Sequence, residues 1–375
     1  MRVHKLLFLI ESLNIGGTEV FLEKLISRLD TRRFEPLVCC LVEKGKLAPQ
    51  IEAKGVRVVA LGWRLRSMVS TIIIVARLAQ LLRKEKIDLI QTFFYRAEIL
   101  GAMASLLARK PVVVGSQRDI IAPGRKISQS LLRLSRQCVR HVIANCEACR
   151  RYRQMLTGHN PREISIVYIG LTEEELSLGL TGKQSVIAED FFEKGPVVTY
   201  AGRLHNVKGP DVFLRAAALV YSNNPEVKFL MIGDGRMRAE LVSLTNELGL
   251  SAAVCMPGEI RPVKGIFQKS FVVVCSSRSE GFPNVVLEAM AVGVPVVASR
   301  VGGVEELINN REDGFLFESE NSEELASIIM MLLSDREGAA EVGSRAREKV
   351  SKRFRFDETV AQIESLYTRL LSKAG

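Results

Sequence analysis

Glu280-Gly281-Phe282-Pro283-Asn284-Val285-Val286-Leu287-Glu288 is the stretch around which the chain organises itself. A continuous apolar run, Phe271 to Cys275, and a polar loop, Ser276 to Ser279, stand ahead of it. Pro283 and Asn284 open a helix that Gly293 closes, because Pro suits the first helical position and Gly the position past the end. The unit is therefore buried strand, loop, helix. It puts one carboxylate in the loop and a second inside the helix, with the backbone N–H groups of a helix N-terminus between them, a seat for a phosphate. Two acids flanking an anion seat suit a ligand with hydroxyls on both sides of a phosphate, as in a sugar nucleotide. An ordinary strand-to-helix turn with exposed acids fits the same residues equally well.

The same unit repeats outward along the chain. Short runs rich in Val, Ile and Leu occur at Lys5–Ile10, Leu37–Leu41, Val56–Leu61, Asp88–Thr92, Pro111–Val114, His141–Ala144 and Ile164–Tyr168. Stretches with helical spacing separate most of them, for example Phe21, Leu22, Leu25, Ile26 and Leu29. Continuous apolar strands alternating with amphipathic helices mean a parallel sheet covered on both faces. The acidic, weakly patterned stretch from Thr172 to Gly195 breaks the alternation and reads as a linker. Alternation restarts at Val197–Ala201, Phe229–Ile232, Val254–Met256, Phe271–Cys275, Pro295–Ala298 and Phe315–Phe317, and the remainder is helical. The expected organisation is a first domain over 1–171, a linker over 172–195, a second domain over 196–355 and a terminal helix over 356–375. Ligands of such sheets bind beyond the carboxyl ends of the strands, so a cleft between the two domains is the expected site.

Composition narrows the class. A chain of 375 residues, 47% hydrophobic and 25% charged, is globular and long enough for two domains. Seven scattered cysteines and an apolar start too short for a secretory signal suggest reduced thiols in the cytoplasm. The net charge of +10 is uneven: through Gly170 there are 29 Lys and Arg against 13 Asp and Glu, and beyond it 23 against 29. The first half is thus expected to face something anionic.

The loops after the strands carry further signals. Asn14-Ile15-Gly16-Gly17-Thr18-Glu19 follows the first strand, with Thr18 expected to cap the next helix and the paired glycines letting backbone approach a ligand. It lacks the G-x-G-x-x-G fingerprint of dinucleotide sites, which counts against a nicotinamide enzyme. Gly202-Arg203-Leu204-His205-Asn206-Val207-Lys208-Gly209 precedes a helix begun at Pro210, and its two cations suit a diphosphate, or else are solvated surface charges. Gly233-Asp234-Gly235 is another tight turn at the same sheet edge.

In order, GGTE, GRL-x-x-x-KG, GDG, EGFPNVVLE with its Glu-x7-Glu spacing, GVPVVAS and VGGVEEL resemble a GT-B glycosyltransferase of family 4. The resemblance covers nearly the whole chain and is most specific from Val197 to Phe317. It implies two doubly wound Rossmann-like domains facing across a cleft, with the C-terminal helix crossing back to the first domain. It implies a retaining transferase that moves a hexose-type sugar from a nucleotide-diphosphate sugar to a glycan or lipid-linked acceptor in cell-surface polysaccharide synthesis. It further implies that Arg203 and Lys208 neutralise the diphosphate, that no metal or other cofactor is needed, and that Glu288 holds the ribose. Glu280 would face the transferred sugar. Gly16 and Gly17 would close over the phosphates, and Ile260 and Arg261 would contact the base. Gly281, Phe282, Pro283 and Asn284 belong to the same donor-binding turn.

Some positions depart from the family pattern. Where members often carry a His, this chain has Gln91-Thr92-Phe93-Phe94-Tyr95-Arg96 and Gly115-Ser116-Gln117-Arg118-Asp119, so Arg118 is the candidate polar group on the acceptor side. Tyr168-Ile169-Gly170-Leu171 replaces a usual Asn-Gly.

Other features carry less. Cys146-Glu147-Ala148-Cys149 has no second pair or His cluster and reads as idle thiols in a helix capped by Asn145. Arg125 to Arg140 is basic and amphipathic, which fits a solvated helix face or a patch for an anionic membrane surface. A GT-B subunit that binds without catalysing is the alternative, and the intact Arg203, Lys208, Glu280 and Glu288 argue against it. Nucleic acid is not an expected partner, because no recognised module accompanies the basic charge.

Overall fold

The computed structural model describes residues 2–64, 67–108, 110–120, 126–177 and 190–373. The chain divides into two compact units, one of residues 1–169 with 357–375 and one of residues 170–356. The stretch 178–189, inside the expected linker, lies outside the described residues. Ahead of it Thr172 caps a short helix, Glu173–Leu176, through a reciprocal capping box with Glu175.

The first unit holds a parallel sheet of seven strands: β1 (His4–Ser12), β2 (Phe34–Glu43), β3 (Val58–Ala60), β4 (Leu89–Phe93), β5 (Val112–Gln117), β6 (Val139–Ala144) and β7 (Ile164–Ile166). Their order is β3-β2-β1-β4-β5-β6-β7. Leu6 to Ile10 have no exposed surface, as a central strand covered on both faces requires. The terminal helix Phe356–Ser372 packs into this unit from Asp357 onward. Glu364 accepts from the Asp30 N–H at 2.7 Å and pairs with Arg33 at 3.3 Å, and Tyr367 lies edge-on to Phe34. The Tyr367 hydroxyl also bonds to buried Gln91, whose amide donates to Ser116 at 2.9 Å. Gln91 thus ties the last helix to the sheet.

The second unit repeats the plan with β8 (Val197–Ala201), β9 (Lys228–Ile232), β10 (Val254–Gly258), β11 (Val272–Cys275), β12 (Val296–Ser299) and β13 (Phe315–Phe317), all parallel in the order β10-β9-β8-β11-β12-β13. Its core joins the sheet to the helices Pro210–Asn223 and Ser322–Ser334 through Val212, Phe213, Phe229, Val274, Leu325 and Ile329. In both units the order reverses between the first and fourth strands, and ligand loops collect at that switch point.

Two caps differ from expectation. Gly16, not Thr18, is the N-cap of helix Gly17–Arg28, and it offers no side-chain bond. There is no room for one: a Cβ at Gly16 would stand 2.3 Å from a Glu19 carboxylate oxygen, so the glutamate fills the space a capping side chain needs. Cys146, not Asn145, caps Glu147–Thr157, its Sγ accepting from the Cys149 N–H at 3.3 Å. A sulfur is a weak acceptor, but the thiol is fully buried and adjacent. The Cys149 thiol is pushed well up, first by its bond to Cys146 and then by burial, which makes Cys149 a poor nucleophile.

Candidate functional site

Three loops of the second unit meet at the carboxyl ends of β8, β9 and β11. After β8 the chain makes a 3-10 turn, Asn206–Lys208, capped by the His205 ring, whose Nδ1 accepts from the Val207 N–H at 3.2 Å. Gly209 then adopts φ 58°, and a Cβ there would stand 1.9 Å from the Ser276 carbonyl oxygen. Only glycine meets both demands. The turn after β9 is equally close, since a Cβ at Gly233 would stand 1.9 Å from the Gly202 carbonyl. The Leu204 N–H donates to the Asp234 carbonyl at 3.0 Å. These approaches fix the Arg203–Lys208 loop against two neighbouring strands.

After β11 the loop carries Glu280, only 8% exposed. Its Oε1 accepts from Lys208 Nζ at 2.6 Å and from the Ser277 hydroxyl at 2.7 Å. The first cation-bearing loop and the first acid of the Glu-x7-Glu pair are therefore joined directly, 72 residues apart in sequence. Gly281 accepts from the Gly303 N–H at 2.8 Å, Phe282 packs on Phe354 at 5.7 Å between ring centroids, and Pro283 is the N-cap of helix Asn284–Ala291. Glu288 is half-buried on that helix. One carboxylate in the loop and one in the helix is the predicted disposition.

Arg203 is exposed at the same edge. Burial, together with the nearby cations Arg236, Arg203 and Lys208, holds His205 below its ordinary value. The loop is thus a positive environment before any ligand arrives. Ile260 packs against a small cluster of Val197, Leu230, Ile232 and Ile266, and Arg261 pairs with Glu259 at 3.3 Å, both just after β10.

Sequence reasoning missed the residues that hold these loops together. Arg278 donates through its backbone to the Val207 carbonyl at 2.9 Å and through Nη1 to the Asn206 carbonyl at 2.7 Å. The same guanidinium grips both oxygens of Asp211, at 2.9 and 2.7 Å, and reaches Glu320 at 2.7 Å. The bonds to Asp211 raise Arg278 above its ordinary value, keeping it a cation. Ser276 donates to the Gly209 carbonyl at 2.7 Å, and the Tyr200 hydroxyl to the carbonyls of Arg203 and Lys208. The one sequence signal was the polar run Ser276-Ser277-Arg278 straight after a fully buried strand, read only as a loop.

In the first unit Gly16 and Gly17 follow β1 at the carboxyl edge, and Arg118 follows β5 at that same edge. The Arg118 guanidinium lies 3.8 Å over the Phe21 ring, and burial lowers it to about 10. Arg96 pairs with Glu11 at 2.9 Å, and Phe94 holds φ 68° at the turn out of β4. A recess of about 790 Å³, lined by Lys5, Phe34, Lys54, Arg57 and Glu85 among others, opens at the amino ends of the strands, away from all these loops. Among the described residues no group of three His, Cys, Asp or Glu side chains is placed to hold a metal, and no helix is long and apolar enough to cross a membrane.

Known proteins are similar in sequence and fold. The model of glycosyl transferases group 1 matches residues 184–349, and that of glycosyltransferase family 4 matches residues 15–175. The chain is 26% identical over 310 residues to the Escherichia coli UDP-Gal:alpha-D-GlcNAc-diphosphoundecaprenol alpha-1,3-galactosyltransferase, covering 77% of each protein. It is 31% identical over 179 residues to the Bacillus anthracis N-acetyl-alpha-D-glucosaminyl L-malate synthase, covering 48% of this chain and 47% of that one. The crystal structure of Anabaena HepE in complex with UDP-glucose superposes with a TM-score of 0.82 at 26% identity, covering 97% of this chain and 99% of the other.

Proposed function

Because the chain belongs to the GT-B glycosyltransferases of group 1 and family 4, we propose that it transfers a hexose, with retention of configuration, from a nucleoside-diphosphate sugar to a glycan or lipid-linked acceptor. The product would serve cell-surface polysaccharide synthesis. The observation that carries this reading is the Lys208–Glu280 contact, which sets a diphosphate-binding cation against a nearly buried acid at one sheet edge. In the proposed reaction Arg203 and Lys208 take up the charge that builds on the departing diphosphate. Glu280 orients the sugar and offsets positive charge at its anomeric carbon, and Glu288 holds the ribose. Gly281, Phe282, Pro283 and Asn284 shape the donor seat, Ile260 and Arg261 meet the base, and Gly16 and Gly17 close over the phosphates. Arg118 serves the acceptor side. Leaving-group stabilisation and positioning do the chemistry, with no metal or cofactor. The seven free cysteines agree with a cytoplasmic protein.

Hydrolysis and transfer measured with UDP-, GDP- and ADP-hexoses in the presence of EDTA test the reading. The UDP-Gal in the name of the Escherichia coli relative and the UDP-glucose in complex with HepE make UDP-hexoses the first choice. Turnover of one nucleotide class without metal is the expected result. Binding of a nucleoside diphosphate with no turnover of any hexose would sink the enzymatic reading in favour of a silent subunit.

Arg278 is expected to matter without touching the donor. Arg278→Ala should lower kcat/KM by roughly tenfold to a hundredfold, since releasing the Asn206–Lys208 turn misplaces both cations. Arg278→Lys, which keeps the charge but not the fork, should recover only part of it. Unchanged steady-state kinetics in both variants would show that the loop holds its shape without this clamp.

A further inference from the structure

The helix Met68–Glu85 in the first unit buries Ile74, Val75, Leu78, Ala79 and Leu82. On its other side Met68, Val69, Ile72 and Ile73 are 82, 64, 63 and 46% exposed. At 3.6 residues per turn these four, with Ala76, line one face over the first two turns, and Gln80, Arg83 and Lys84 continue that face toward the C-terminus. Single exposed apolar residues are ordinary, but a contiguous row of them is not. The segment from Leu61 to Lys84 contains Arg64, Arg66, Arg77, Arg83 and Lys84 and no acidic residue. Arg77 and Arg83 hydrogen-bond to the carbonyls of Leu61 and Leu107 rather than to carboxylates, so those bonds leave their charge in place. The Arg83 bond also ties in the neighbouring helix Phe94–Leu107, where Met103, Leu106 and Leu107 are exposed as well.

We propose that this face, the apolar start of helix Met68–Glu85 with Arg64 and Arg77 beside it, docks the protein on an anionic lipid bilayer. The proposal rests on the reading of the acceptor as lipid-linked and names the surface that would meet the lipid. A second copy of the chain is a poorer occupant, because a two-fold contact would set this acid-free basic segment against itself. A bilayer takes up the apolar side chains in its interface and supplies the opposite charge. Position agrees: the helix follows β3 and starts at the carboxyl edge of the sheet, where the Gly16-Gly17 loop and Arg118 also lie. The helix Lys126–Ser135, whose sequence fits either a solvated face or a membrane patch, offers less apolar surface. Leu131 and Leu134 are exposed on it, but Leu132 is buried, and the following Arg136 lies 3.7 Å from the carboxylate of Glu163. Arg125 lies outside the described residues.

Co-sedimentation of the full chain with phosphatidylcholine vesicles, with and without phosphatidylglycerol, tests the surface. The wild type is expected to sediment mainly with the anionic vesicles. Met68→Ser/Ile72→Ser/Ile73→Ser and Arg64→Gln/Arg77→Gln should each lower the partition coefficient by about tenfold or more. Circular dichroism and donor hydrolysis in solution should stay at wild-type values, since none of these side chains belongs to the donor site. Wild-type protein left in the supernatant, or variants that sediment like wild type, would overturn the proposal. So would a dimer, seen by light scattering, that the serine variant dissolves. Calorimetry with nucleoside diphosphates reports on the enzymatic reading separately, so failure of one is not mistaken for failure of the other.

Discussion

Glu280→Gln is expected to lower turnover by about 10²–10³-fold while affinity for the nucleoside diphosphate holds or improves. The change keeps the shape of the side chain and removes its charge. The amide oxygen still accepts from Ser277, so the loop keeps its anchor, but the ion pair with Lys208 is lost. That loss cuts two ways. The positive charge developing at the sugar loses its nearest proposed carboxylate, and Lys208, no longer held by an acid, turns wholly to the diphosphate. Glu288→Gln should do the opposite, weakening nucleotide affinity with less effect on the chemical step, because its proposed partner is the ribose. Single-turnover rates and calorimetry on both variants separate the roles. An equal loss of nucleotide affinity in both would mean that the two acids have been misassigned.

Arg203→Ala and Lys208→Ala should each weaken donor binding by about 1.5–3 kcal/mol, roughly ten- to 150-fold, the usual magnitude for a bond to a charged partner. The two variants should differ in their effect on the fold. Arg203 is exposed, so its removal is expected to leave the thermal midpoint near the wild-type value. Lys208 balances a carboxylate whose side chain is 8% exposed, and its removal strands that charge. A lower melting temperature for Lys208→Ala is therefore expected, and Lys208→Ala/Glu280→Gln should recover part of it, as removing both partners of a buried pair costs less than removing one. Unchanged nucleotide affinity in both single variants would remove the phosphate-clamp assignment.

Sequence alone determined the architecture of each unit. Runs such as Val197–Ala201 and Phe315–Phe317 lie where continuous apolarity put them, because a strand buried on both faces has no polar side to disguise it. The break after Leu171 and the return of alternation at Val197 separated two sheets, and the Glu-x7-Glu spacing gave one acid in a loop and one in a helix. Local capping chemistry was less legible. Thr18 and Asn145 were the stronger residue types, but Gly16 and Cys146 occupy the caps, since which residue turns into the first helical peptide depends on the strand it leaves and on the space beside it.

Only the tertiary structure decided who meets whom. Nothing in the spacing of Lys208 and Glu280 says that they touch, nor that one guanidinium, Arg278, binds the Asn206 carbonyl, Asp211 and Glu320 together. Nor does periodicity reveal which face of an amphipathic helix stays uncovered: the exposure of Met68, Val69, Ile72 and Ile73 is decided by where the neighbouring elements lie. Periodicity is a property of a chain and its own hydrogen bonds. Ion pairs, clamps and bare apolar faces depend on separate segments brought together by burying the sheet.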